Sequence, residues 1–217
     1  MRSGNHRFRC SAAVVVWIAL AGAAQAQTLT LADETGYAEF FAQSSFGNVT
    51  SQAYGAEAGY VVNPKLQIFG EIGWVRNTAP ASLGTSAQTI ASGIAAAAGN
   101  ANYEVRQPVT FGAGGVKYLV PMEQSRVRPY LLAGFGIAAV KRDVTFSTTA
   151  GDVNQFATIG TDLSGTETKP MFSFGGGVGV PVGRMMIVDV QYRYGHVFTS
   201  DEGLNMNRVG VGLGVRF

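Results

Sequence analysis

From about residue 36 onward, apolar and polar residues alternate with a period of two over segments of about ten residues, the pattern of a strand with two unlike faces. The last segment is the plainest. Val209, Val211, Leu213, Val215 and Phe217 alternate with Arg208, Gly210, Gly212, Gly214 and Arg216. The segment before it repeats the scheme, with Met186, Val188, Val190, Tyr192 and Tyr194 on one face and Ile187, Asp189, Gln191 and Arg193 on the other. Helical periodicity is almost absent. The alternation predicts eight strands, near residues 36–46, 51–62, 66–76, 106–119, 127–142, 169–180, 185–197 and 206–217.

The connections alternate in length. Short turns are predicted at Asn63-Pro64, Pro121 to Ser125 and Pro181-Val182-Gly183, with longer links after the odd-numbered strands, the two longest being 77–105 and 143–168. An all-β, eight-stranded antiparallel transmembrane β-barrel in an up-and-down meander has this rhythm of short turns on one side and long loops on the other. A soluble sandwich also alternates, but it buries its apolar face and wets its polar one. Closure matters in lipid, which offers no partner to an unpaired N–H or C=O.

The N-terminus separates the two readings. Arg2, Arg7 and Arg9 precede an apolar run from Ala12 to Ala24, and Ala24-Gln25-Ala26 offers a small-x-small cleavage site, the parts of a secretory signal in order. That run is shorter than the roughly 20 residues a spanning helix needs. Residues 1–26 are therefore expected to be a cleaved signal peptide and 27–217 the barrel domain. Tyr60, Trp74, Tyr118, Tyr192 and Tyr194 fall near strand ends, where aromatic girdles sit at a membrane interface. Glycines within strands, as in Gly112-Ala113-Gly114-Gly115, Gly134-Phe135-Gly136 and Gly175-Gly176-Gly177, leave room in a tightly curved wall.

Composition narrows the function classes. Removing the signal lowers Lys and Arg from 16 to 13 against 14 acidic residues, a balance that argues against a nucleic-acid partner. The single cysteine, Cys10, lies in the signal, and His6 goes with it, leaving His196. No His, Cys or carboxylate grouping has metal-ligand spacing, and Gly210-x-Gly212-x-Gly214 is followed by no helix that would make it a phosphate loop. No cofactor is expected.

The candidate chemistry is the polar face. Glu39, Glu57, Glu71 and Asp189 are predicted to point inward with Lys117, Arg128, Lys169, Arg193, Arg208 and Arg216, in one confined space. Closure pairs the last strand with the first, so Glu39 is expected across from Arg208 or Arg216. Unpaired charges there would be costly, so an ion-pair network is expected that fills and locks the lumen. The alternative is a narrow polar path whose pairs rearrange to pass small solutes.

Arg128-Pro129-Tyr130, Asp189-Val190-Gln191-Tyr192-Arg193-Tyr194 and the terminal Val215-Arg216-Phe217 give the chain a resemblance to the small outer-membrane β-barrel proteins of the OmpA-like and opacity-like superfamily, often labelled porin family proteins. The resemblance covers the whole mature chain. It implies a Gram-negative outer membrane with both termini periplasmic, contact with lipid and lipopolysaccharide, and periplasmic chaperones and the outer-membrane assembly machinery as transient partners. For that machinery it implies an assembly signal in Val209, Val211, Leu213, Val215 and Phe217. Lipid A deacylases among small barrels carry a His-x-Ser pair; here the run His196-Val197-Phe198 puts phenylalanine in the nucleophile's place, with Ser200 beyond it. The expected role is non-enzymatic, structural or adhesion-like, with loops 77–105 and 143–168 free to meet a host or surface ligand; a small-solute porin is the second reading and a lipid A-modifying hydrolase the third. Residues 77–103 hold no charged group, and Ile94 to Ala98 is expected to form a short helical turn.

Overall fold

The alternating segments become long strands in a computed structural model, which describes residues 34–122, 127–148, 151–152, 164–199 and 203–217. The segment expected to be a signal peptide, with Ala24 and Ala26, lies outside the described residues, as do Ser200 and part of each region expected at 121–125 and 143–168. In chain order the elements are β1 (Gly36–Phe46), β2 (Ser51–Asn63), β3 (Leu66–Val75), α1 (Ala81–Ala98), β4 (Asn102–Arg106), β5 (Val109–Leu119), β6 (Arg128–Thr148), β7 (Gly151–Asp152), β8 (Gly165–Val182), β9 (Met186–Val197) and β10 (Leu204–Arg216).

The eight long strands pair antiparallel in the ring β1-β2-β3-β5-β6-β8-β9-β10, and β10 returns to β1 from Tyr37↔Arg216 to Phe46↔Asn207. Closure leaves the barrel wall without a free edge. The expected fold class holds: an eight-stranded up-and-down barrel. Side chains obey the period of two. Phe40 and Phe135, each 78% exposed, point outward with Ile72, Ile137, Leu213 and Val215, while their strand neighbours are buried in the lumen. Among the described residues no helix is long and apolar enough to cross a membrane.

Several boundaries differ from expectation. The fourth segment is split: β4 and β5 are separated at Gln107-Pro108, because Pro108 has no N–H for the ladder and the N–H of Gln107 is taken by Asn77 Oδ1 at 2.9 Å. The fifth and sixth strands run further than expected, β6 to Thr148 and β8 back to Gly165, so their hairpin stands beyond the barrel. β4 adds to β6 there, from Asn102↔Ser147 to Arg106↔Asp143.

The short helical turn expected at Ile94 to Ala98 is instead an 18-residue helix, α1. Its apolar positions Leu83, Ala87, Ala91 and Ile94 recur at helical spacing and pack on Val105, Val144 and Phe146 of the β4–β6 extension. Tertiary packing thus supports a weakly patterned Ala-rich stretch. Gly99, at φ 86°, ends the helix and donates its N–H to Ala95 O at 2.8 Å.

Inside the barrel the side chains stack in layers. Near the long-loop end, Phe41, Ala53, Val75, Val109, Phe111, Ala138, Val140, Met171, Val197, Leu204 and Met206 form one apolar cluster. Toward the turn end, Phe69, Leu119, Tyr130 and Leu132 form another. Charged residues occupy the space between.

Candidate functional site: the charged lumen

Register brings like charges together. Glu39 pairs with Glu57 and Glu57 with Glu71, so β1, β2 and β3 present three inward glutamates in one row. Arg208 of β10 pairs with Arg193 of β9. Like charges in directly opposed cross-strand positions are destabilising in themselves, so each row depends on groups reaching across the lumen.

Arg193 makes the central crossing. β9 lies opposite β3 in the ring, and Arg193 Nη1 reaches Glu71 Oε2 at 3.1 Å while Nη2 donates to Glu57 Oε2. Its Nε donates to Gln191 Oε1 at 2.9 Å. Glu57 takes a further bond from Lys117 Nζ at 2.5 Å and one from the Tyr37 hydroxyl. Lys117 lies between two rings, 4.4 Å from the centroids of Tyr37 and of Tyr130, a geometry that favours the ammonium over either π face. The Tyr130 hydroxyl donates to Asp189 Oδ2 at 2.5 Å. Gly59 makes room for this arrangement: a Cβ there would overlap the Tyr37 ring.

Arg208 is less well served. Its Nη2 is 3.6 Å from Glu71 Oε1, its Nη1 is 3.4 Å from Gln43 Oε1, and the guanidinium lies 4.2 Å from the Phe111 centroid. Among the described residues, Nε and Nη2 have no hydrogen-bond partner.

The inward set does not form one network. Contrary to the expectation from closure alone, Glu39 meets neither Arg208 nor Arg216; Gly214 stands opposite it on β10, and Gln191 Nε2 is its hydrogen-bond donor at 3.3 Å. Arg216 and Arg128 instead share Glu34 at the turn end. Lys169 lies apart from the central cluster because β8 carries it to the loop-side hairpin, where its Nζ is 2.5 Å from Glu167 Oε1. Tyr37, Gln191 and Tyr130 occupy inward positions of their strands and were available to the same alternation that picked out the charges. Glu34 precedes the first strand, so no alternation assigns it a face.

The remaining candidates lie on the outer surface. Tyr60 and Tyr118 are exposed near the turn end and Trp74 near the loop end, where Tyr54 is its cross-strand neighbour. Tyr192 is exposed and bonded to Asn207 Oδ1 at 2.8 Å. Tyr194 is half-buried in a cluster with Phe172 and Phe174. Val209, Val211, Leu213, Val215 and Phe217 form an outward stripe down β10 and its end. His196 also faces outward; its Nδ1 is 2.7 Å from Asn205 Oδ1 and its ring meets Phe198 edge-on at 4.8 Å. Among the described residues no group of three or more His, Cys, Asp or Glu could hold a metal ion.

Residues 10–217 match the family described as outer membrane protein beta-barrel domain. No curated protein matches the chain. Among solved structures, Neisserial surface protein A is 16% identical with a TM-score of 0.55, over 84% of this chain and 96% of that one. A major outer membrane protein of Thermus thermophilus is 9% identical with a TM-score of 0.52, over 83% and 99%. Ail, the attachment invasion locus protein of Yersinia pestis, is 14% identical with a TM-score of 0.49, over 85% and 99%. At these identities the likeness is one of fold.

Proposed function

The chain belongs to the outer membrane protein beta-barrel domain family, and from that premise we propose a non-enzymatic structural and surface-interaction role, with the lumen shut by its own ion pairs. The bacterial outer membrane is the setting that membership implies. The observation that carries the closed lumen is the crossing made by Arg193, wholly buried, to Glu57 and Glu71 between two apolar layers. An eight-stranded barrel has an interior that side chains can fill. In this reading the short turns and both termini face the periplasm, and the stripe ending at Phe217 is what the assembly machinery recognises.

The surface role is assigned to the loop side. The β6–β8 hairpin, β4 and α1 form a packed unit beyond the barrel, so the 77–105 region is presented on a fixed support. Rigid scaffolds with exposed connections are where binding functions concentrate. The partner would be a host or surface ligand, alongside the lipid and lipopolysaccharide of the membrane itself.

Two measurements test the proposal. Refolded protein in planar bilayers is expected to give no conductance above background; discrete channels would replace the closed barrel with a small-solute pore. Deleting residues 81–98 or the 149–163 region is expected to lower attachment of expressing cells to a host surface. Unchanged attachment in both deletions would remove the surface role.

A further inference from the structure

The turn-end mouth of the barrel is spanned by a residue that belongs to no strand. Glu34 sits just before β1, and its carboxylate accepts from Arg128 Nη1 at 2.7 and 2.6 Å and from Arg216 Nη1. Arg128 begins β6, which is equally far from β1 either way round the ring, by β2-β3-β5 or by β10-β9-β8. One carboxylate therefore ties opposite walls together. Arg216 also places Nη2 3.3 Å from the carbonyls of Gly183 and Arg184 in the β8–β9 turn.

Behind this tie lies a cavity of about 30 Å³, lined in part by Glu39, Gln67, Lys117 and Asp189. A water molecule needs about 10–15 Å³ of such space, so the cavity has room for at least one. Two of its lining residues carry a buried atom with no hydrogen-bond partner among the described residues, Asp189 Oδ1 and Arg216 Nε. One is an acceptor and the other a donor, so the space is polar and suited to solvent.

We propose that Glu34 is a latch on this chamber, carried on a short strap of residues 34–35: release of its side chain from Arg128 and Arg216 opens the chamber further to solvent from the turn end. The loop end stays sealed by the cluster around Phe41, Phe111 and Met206. Release is local because the strap's side-chain hold is separate from its backbone hold. Thr35 N–H and Gly36 N–H donate to Phe217 O at 2.7 and 2.9 Å, and the Glu34 carboxylate can swing away without disturbing them. The latch pairs are also wetter than the inner ones. The Glu34 and Arg128 side chains are 10% and 15% exposed, whereas those of Glu57 and Arg193 are wholly buried. Partly hydrated ion pairs exchange partners with water and salt at far lower cost than dry ones.

The test is thiol accessibility in detergent or in bilayers with reagent on both sides, so it does not depend on orientation. In a Cys10→Ser background, Gln67→Cys places a single thiol on the chamber wall and Phe111→Cys places one in the loop-side seal. With a small charged methanethiosulfonate reagent, adding Glu34→Gln or Arg128→Gln is expected to speed labelling at position 67 by at least about tenfold and to leave position 111 unchanged. Equal labelling rates at position 67 with and without the latch substitutions would overturn the proposal. So would a parallel rise at position 111, which would mean general loosening of the barrel.

Discussion

Arg193 and Arg208 are direct cross-strand neighbours on β9 and β10, and both are completely buried. Their proximity is tolerated because the facing wall carries Glu57 and Glu71, with Arg193 taking the better share. Arg193 bonds both glutamates and Gln191, whereas Arg208 stands 3.6 Å from Glu71 and its Nε and Nη2 make no hydrogen bond among the described residues. The pair thus consists of one arginine that holds the network and one that is held by it.

Removing each should have unequal effects. Arg193→Met leaves Glu57 with Lys117 and the Tyr37 hydroxyl and Glu71 with a distant Arg208, and breaking a buried pair in this way costs about 3–5 kcal/mol. Urea unfolding in micelles or bilayers, followed by tryptophan fluorescence, is expected to show a loss of that size. Arg208→Met replaces poorly bonded polar atoms with a thioether beside Phe111, and the expected change is within about 1 kcal/mol. Equal losses would refute the asymmetry.

The outward face gives a second test. Leu213 of β10 is exposed and level with Phe40, near the middle of β1, and with Val188 of β9. An arginine at the bilayer midplane of a barrel costs about 2–4 kcal/mol and near an interface about 0–1. Leu213→Arg is expected to fall in the upper range and Trp74→Arg, at the loop end, in the lower. Refolding yield into vesicles and denaturant midpoints measure both. A reversed order would move the membrane along the barrel.

Much of this architecture was legible in the chain. Alternation separated Leu213 from Gly212 and Gly214, and the same period put Glu57, Glu71, Asp189, Arg193 and Arg208 on the inner face. What it could not supply was depth and partner. Lys169 shares the inward parity of Arg193, but β8 is long enough to carry it out of the central layer to Glu167. Glu39 is beside β10 as closure requires, yet the residue opposite it is Gly214. Register to a single residue decides such pairings, and period two does not encode it. Glu34 was illegible because a residue outside a strand has no parity. The α1 helix was underestimated because Ala, Ser and Thr give a shallow amphipathic pattern, and its hydrophobic partners Val144 and Phe146 lie far away in sequence.

Close contact inside the wall makes Gly59 a sensitive position. A Cβ there would overlap the Tyr37 ring, which stacks on Lys117 and bonds Glu57. Gly59→Val must displace that ring, and overpacking of this kind costs about 1–3 kcal/mol. Gly70→Val, on the outward face with open space where a Cβ would stand, is the control. Thermal unfolding by heat-modified gel migration is expected to fall for the first and hold for the second.

The helix offers a way to separate the barrel from what it displays. Ala87 is fully buried between α1 and the β4–β6 extension, in a cluster with Leu83, Ala91, Val144 and Phe146 that is distinct from the lumen layers. Ala87→Asp places a charge in that apolar contact, where burial without a partner is strongly unfavourable, so the helix is expected to detach. The lumen layers share no residue with that cluster, so the barrel's unfolding free energy is expected to stay within about 0.5 kcal/mol of wild type, as for independent sites. Limited proteolysis should then cut within 81–98 in the variant and spare that segment in the parent. If attachment of expressing cells depends on a fixed α1 surface, it should fall in Ala87→Asp as far as in the 81–98 deletion. Full attachment with a proteolysed loop would assign the surface role to another part of the chain.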